Sequence, residues 1–396
     1  MSKQYRACIG RRLTRWATVV TALGWLLCIG GALSADNYFP PPGDDWATRT
    51  PEASGIDPGK LAEAVAFARA NEVNWPRDVR AQIEKDTAKE PYPEIVGLAK
   101  PRAAQNGVIL HRGYIVAEWG DTRAVDMSFS VAKSYLSTVA GLAFDRGLIA
   151  DVNAPVGALV RDGGYDLAHN APITWRMHLT QTSEWEGTLW DKPDVADRRR
   201  GYFRTLEQPG TFWEYNDVRV NRLALSLLRV WQRPLPDVLR EYVMDPIGAS
   251  GTWVWHGYLN SYVELNGRRA QSVSGGSHWG GGFWASTRDH ARFGYLLLRR
   301  GEWSGTRVLS ERWIDMATKP VAIAPFYGYL WWRADTSSPV FRSAPPGSFF
   351  ALGSGGNMIY VDPARELVAI TRWLDIPKLD AFVARLADAV PLAGTR

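Results

Sequence analysis

Residues 127–137 read MSFSVAKSYLS, and they set a hydroxyl, Ser130, three residues before an amine, Lys133, at the head of an apolar helical pattern. The spacing predicts a helix over 129–147, with Val131, Leu136, Val139 and Leu142 on its apolar side and Gly147 near its end. Residues three apart on a helix are neighbours, so Lys133 reaches Ser130. The free N–H groups and positive dipole end of a helix start favour a serine oxygen that becomes alkoxide-like. The same potential, with burial, disfavours an ammonium. An uncharged Lys133 is then able to take the serine proton, which makes a nucleophile with its base. The competing reading is an ordinary polar helix start, since a Ser-x-x-Lys tetrad arises by chance about once in a chain of this length.

Working outward, "NGVILHRGYIVAEWG" (106–120) places two β-rich runs around a His-Arg-Gly turn, a hairpin leading straight into the helix. Downstream, about 150–280 is read as a helical region, with patterns in "ITWRMHLTQTS", "VNRLALSLLRVWQ" and "LPDVLREYVMDPIG". After the glycine cluster "SVSGGSHWGGGFWAS" comes a helix that Ser286 would cap, then a second hairpin turning at Asp362-Pro363 and a terminal helix "LDAFVARLADAV". Strands at both ends with helices between them predict an α+β fold. Its antiparallel sheet would be assembled from distant segments and flanked by helices, with a mainly helical insert.

Two further stretches could carry chemistry. In "QPGTFWEYNDVRVNRLAL" (208–225), Tyr215 precedes a helix. Beside a cation a tyrosine hydroxyl gives up its proton more readily and can shuttle it to a leaving group. The plain alternative is a packed tyrosine with Asp217 as a helix cap. In "FFALGSGGNMIY" (349–360), glycines permit close approach of another backbone or a ligand, and a strand N–H there could hold an oxyanion.

Composition narrows the classes. The first 34 residues hold Lys3, Arg6, Arg11, Arg12 and Arg15 and no acid, so the +5 formal charge belongs to them and the remainder is neutral. A neutral body gives no footprint for nucleic acid or an anionic membrane. The basic start, the apolar run of 16–33 and the small residues at Ala32–Ala35 read as an export signal over 1–34, or as an uncleaved anchor, the one expected membrane contact. A proline- and glycine-rich arm (35–55) follows, then a single domain over 56–394. Both cysteines, Cys8 and Cys28, lie in the leader, leaving the body without a disulfide or a thiol nucleophile.

Taken together, "MSFSVAKS", "LTQTSEWEGTLWDKP", "PGTFWEYND", "SGGSHWGGGFWASTRDHARFG", "YGYLWW" and "GSGGNMIYVDPARELVAI" resemble the serine β-lactamase, penicillin-binding protein and esterase superfamily. The likeness is to its class C-like branch of carboxylesterases and 6-aminohexanoate-dimer hydrolases. The resemblance implies a β-lactamase/transpeptidase-like fold and Ser130 as acylated nucleophile. It further implies Lys133 as the partner that deprotonates it and Tyr215 as proton relay. The oxyanion hole would come from the backbone N–H groups of Ser130 and Ala351. No cofactor and no metal are implied, and the partner is a small ester or amide. Asp217 stands where the family usually carries asparagine, and the Lys-Thr-Gly box is missing, which argues against efficient β-lactam turnover. Asp217, His278, Trp185 and Trp331 are candidates for the substrate cleft, with satisfied loop or core positions as the bland alternative for each. The expected activity is that of an exported serine esterase or amidase. A peptidoglycan DD-peptidase or weak β-lactamase and a catalytically silent sensing module are the alternatives.

Overall fold

A computed structural model describes residues 37–43 and 45–393; the expected leader lies outside the described residues. Its central feature is a six-stranded antiparallel sheet drawn from both ends of the chain. The strands are β1 (Asn106–His111), β2 (Tyr114–Trp119), β6 (Trp332–Arg333), β7 (Phe349–Gly353), β8 (Asn357–Asp362) and β9 (Leu367–Arg372), in the spatial order β6-β7-β8-β9-β1-β2. The joint between the two ends is the β1–β9 pairing, with Asn106 opposite Arg372 and His111 opposite Leu367.

Every second side chain of this sheet serves a different core, as strand alternation requires. Val108, Leu110, Ile359, Val361, Val368 and Ile370 face the main core. Ile109, Met358, Tyr360 and Ala369 face a second core, closed by α1 (Pro58–Ala70) and α5 (Leu379–Ala389). On the main-core side lies α4 (Thr287–Leu298), capped by Ser286, whose Oγ accepts the Asp289 N–H at 3.0 Å. A Cβ at Gly294 would press on Val368 and Ile359, so that glycine sets how close α4 comes to the sheet. The helix read at 129–147 is a short 3-10 turn, Phe129–Val131, continuing into α2 (Ala132–Asp145), whose side chains are buried all round through Ala143. A helix covered on every side is a core helix, and this one takes Lys133, Ser134, Ser137 and Thr138 into the interior with it.

The middle segment is not purely helical. Helix α3 (Asp217–Trp231) packs there, but residues 254–273 form a hairpin of β3 (Val254–Leu265) and β4 (Arg268–Val273). The hairpin turns at Asn266-Gly267, both with positive φ (52° and 74°). This is the two-residue turn that Asn-Gly favours, and it overrides the helical reading of 150–280 at this point. With β5 (Gly282–Ala285) and the short strand Asp126–Met127 the hairpin makes a four-stranded second sheet that leads into the Ser130 turn. The arm lies along the β1–β2 hairpin, Trp46 donating its indole N–H to the Gly113 carbonyl at 2.7 Å. Among the described residues no helix is long and apolar enough to cross a membrane.

Candidate active site

The turn that presents Ser130 is held from several sides. Its preceding residue, Phe129, has φ of 50°, an uncommon conformation for a bulky side chain that only a tightly packed surround sustains. Arg372, buried in β9, donates to the Met127 and Ala285 carbonyls at 2.9 Å each. Ser128 bonds His290 of α4 at 2.8 Å, and Tyr135 bonds the other nitrogen of the same imidazole at 2.9 Å. Burial holds His290 well below the ordinary histidine value, so it is neutral and serves as a bracket for the turn. Gly353 of β7 presses its bare Cα against the Ser128 carbonyl, where a Cβ would collide.

Within a cleft of about 320 Å³ the structure brings together Ser130, Tyr215, Asp217 and His278. Lys133, 1% exposed, donates from Nζ to Ser130 Oγ at 2.9 Å and to Asp217 Oδ1 at 2.6 Å, and it sits 4.6 Å from the centroid of the Tyr215 ring. This differs from the expected uncharged amine. Burial disfavours the ammonium, but the Asp217 carboxylate, with Tyr215, outweighs it and holds Lys133 above the usual lysine value. Burial likewise opposes ionisation of Asp217, yet Lys133, His278 and Arg199 draw it below the usual carboxylate range. The pair is therefore a buried ammonium–carboxylate.

Asp217 is free for this because it is not the cap of its helix. Asn216 caps α3, its Oδ1 accepting the Arg219 N–H at 3.1 Å, and Asp217 occupies the first helical position, where the dipole favours a carboxylate. A Cβ on Gly276 would strike both Asp217 Oδ2 and Lys133 Nζ, which explains one glycine of the "SGGSH" cluster.

The other expected residues divide. His278 lines the cleft and bonds Glu90 at 2.8 Å. Burial lowers its basicity, but Asp197, the Glu90 bond and Asp217 raise it above the ordinary histidine value. Trp185 is buried away from the cleft, with its indole N–H on the Gly164 carbonyl at 2.7 Å. Trp331 packs in the main core against Phe293 and Phe349. The aromatic walls of the cleft are instead Trp213 and Trp332, the latter stacked on Tyr215 at 5.6 Å. On the late strand, the residues lining the cleft are Leu352, Gly353 and Ser354; Ala351 is buried behind them, paired with Ile359 of β8. The part of the late strand that faces the cleft is therefore 352–354, just after Ala351.

Among the cleft residues that sequence reasoning missed, the charged one is Arg199. Its guanidinium sits 4.9 Å from the Tyr215 ring centroid and is oriented by Asp197 through bonds of 3.0 and 3.3 Å, with 48% of the side chain still exposed. Asp197 also accepts the Asp217 N–H at 2.6 Å. Nothing in "DVADRRRGY" distinguishes Arg199 from its two neighbours; only the fold does. Arg199, His278 and Ser354 are shared with a second, more polar pocket of about 280 Å³ that runs toward Asp86, Glu90 and Tyr202. Among the described residues no group of His, Cys, Asp or Glu side chains is arranged to hold a metal ion.

Fold and cleft define a β-lactamase/transpeptidase-like member of a hydrolase superfamily. The Beta-lactamase family model matches residues 102–372, more than half of the chain, and the chain belongs to that family. An uncharacterized protein of Alkalihalophilus pseudofirmus is 25% identical over 296 residues, 66% of this chain and 81% of that protein. A family VIII carboxylesterase superposes with a TM-score of 0.51 at 18% identity, over 80% of this chain and 97% of its own. A penicillin-binding protein homologue from Caulobacter crescentus gives 0.53 at 16% identity, over 80% and 98%. At these identities the superpositions speak for the fold.

Proposed function

We propose that the chain is a serine hydrolase that cleaves an ester or amide of a small substrate through an acyl-enzyme. The observation that carries this is the contact of a fully buried Lys133 with Ser130 at 2.9 Å, with Tyr215 facing the same cleft. As Ser130 gives up its proton to the Lys133–Asp217 pair, its Oγ forms the bond to the carbonyl carbon and the carbonyl π pair moves to oxygen. Backbone N–H groups of Ser130 and of the 352–354 strand end are the donors for that oxyanion. Collapse expels the alcohol or amine, which takes a proton by way of Tyr215, and water then releases the acid. The apolar walls, Trp213, Trp332, Leu352 and Ile376, suit a hydrocarbon portion of the substrate. The basic and apolar leader supports export.

The carboxylesterase neighbour supports an ester substrate, and the penicillin-binding homologue supports a peptide or β-lactam one. One observation favours the second reading. Arg199 gives the cleft a cation where the late strand has none, although Asp197 already engages it. A panel of p-nitrophenyl esters, aminohexanoate oligomers and a chromogenic cephalosporin, run with wild type and Ser130→Ala, tests both. Short esters are expected to turn over and Ser130→Ala to lose that turnover. A mutant that keeps its rate sinks Ser130 as nucleophile. Cephalosporin turnover faster than any ester would favour the second reading over the first.

A further inference from the structure

We propose that Asp217 takes the proton of the nucleophile by way of Lys133, so that the reactive form of the site is the buried ammonium–carboxylate pair and not a neutral lysine. This rests on the hydrolase reading above. An ammonium cannot accept a proton until it has given one up. Lys133 is closed to solvent, and the acceptors its Nζ contacts are Ser130 Oγ at 2.9 Å and Asp217 Oδ1 at 2.6 Å. The first is the group to be deprotonated. The second is a carboxylate at short range in a site where exchanging two charges for two neutral groups costs far less than it does in water.

The step balances. The Ser130 O–H bond breaks as an N–H bond forms on Lys133. A different Lys133 N–H breaks as an O–H bond forms on Asp217 Oδ1, while the Ser130 oxygen pair forms the bond to the acyl carbon. Lys133 is cationic before and after the transfer, and Asp217 ends as the acid. On collapse the proton runs back through Lys133 to Tyr215 and the leaving group. Asparagine, the family's usual residue at this place, could not hold that proton. Gly276 keeps backbone rather than a side chain against the pair, leaving both partners room to meet.

The two mechanisms differ in their pH profiles. The groups facing the pair are Tyr215, Arg199, His278, Asp197, Tyr258 and Tyr327. Of these, His278 can change charge near neutrality, so each measurement is repeated in a His278→Gln background. With Asp217 drawn below 3.8 and Lys133 held above 10.5, the zwitterion persists across the neutral range. We therefore expect kcat/KM to be flat from about pH 5 to 9. A neutral-lysine base would instead give a rise of about tenfold per pH unit through that interval.

In Asp217→Asn the lysine loses its counter-ion, and burial then favours the free amine. The expected result is a loss of about 100-fold in kcat/KM at pH 7 together with a new rising limb. A merely structural aspartate would lower the rate without changing the shape. Should that variant fold poorly, a proton inventory of single-turnover acylation on wild type decides, bowed for two protons in flight and linear for one. A rising wild-type profile, a linear inventory, or a folded Asp217→Asn with the wild-type rate and shape overturns the proposal. Fluorophosphonate labelling of Ser130, measured in parallel, separates the two readings. If wild type is not labelled, the hydrolase reading falls and takes this one with it. If it is labelled and the profile rises, only the role of Asp217 falls.

Discussion

Two ionic networks meet at the 3-10 turn Asp194–Asp197, one held by arginines alone and the other with a lysine and a histidine beside Arg199. In the first, Glu184 is held bidentately by Arg204 at 2.7 Å and also by Arg219; Arg204 reaches Glu214 at 2.5 Å, and Arg198 reaches Asp194 at 2.6 Å. In the second, which opens on the cleft, Lys133 and His278 face Asp217 and Glu90, while Asp197 orients Arg199. Guanidinium groups do not give up a proton at any working pH, and their planar fork fixes geometry. Lysine and histidine can exchange one. The first network is thus a clamp and the second a place where protons can move. One turn supplies a carboxylate to each: Asp194 to the clamp and Asp197 to the cleft.

The sharpest way to separate them is to break the clamp alone. Burial opposes ionisation of Glu184, but Arg204 and Arg219 pull it down to about 2, and the side chain is wholly buried. Glu184→Ala leaves two arginines without their shared carboxylate, and removing one partner of a buried pair costs about 3–5 kcal/mol. Denaturant unfolding should show that loss. The folded fraction should still be acylated at close to the wild-type rate. A variant with unchanged stability would show that the cluster is not a clamp.

A smaller but more local break is Gly276→Ala, which puts a methyl between Asp217 and Lys133. The pair must separate, and Lys133 must shift relative to Ser130. Displacements of about 1 Å at such a site cost about 100-fold in rate. We expect that loss in kcat/KM, with unfolding affected less than by Glu184→Ala. Retention of full activity would mean that the close Lys133–Asp217 contact is dispensable.

The same contrast explains what was legible in the sequence. Ser130 and Lys133 are neighbours on one helix, so their contact follows from spacing alone. The sheet strands are β-rich runs set around turn residues, buried on both faces, and Ser286 marks its helix start. Arg199 and Trp213 reach the cleft from segments far from Ser130 in sequence, and each sits among similar residues that do not. Trp331 and Trp332 are adjacent, yet one fills the core just before β6 and the other, opening β6, walls the cleft. The charge on Lys133 was hidden for a related reason. Reading Asp217 as the helix cap assigns its carboxylate elsewhere, and only the placement of Asn216 as cap releases it. The β3–β4 hairpin had a local signal that outweighed helical periodicity, the Asn266-Gly267 turn.

The gentlest test addresses the outer edge of the cleft network, where Glu90 meets His278. The folded His278 is more basic than 6.5, burial being outweighed by Asp197, Glu90 and Asp217. A group whose folded value is raised adds stability that is fully present below its unfolded value and is lost as pH rises through the folded one. Glu90→Gln keeps a hydrogen-bond acceptor for the ring but removes the charge. The stability gap between wild type and variant should therefore be greatest below about pH 6.5, under about 1 kcal/mol there, and should close at higher pH. Asp197 still lies 4.0 Å from the ring, so the gap reports Glu90's share alone. Urea unfolding at pH 5.5 and 8.5 measures it. A gap that is equal at both values, or wider at the higher one, would show that His278 is uncharged in the folded protein and that the outer edge is a neutral hydrogen bond. The proton-exchanging network would then end at Asp217, with Glu90 and His278 serving only to shape the polar pocket.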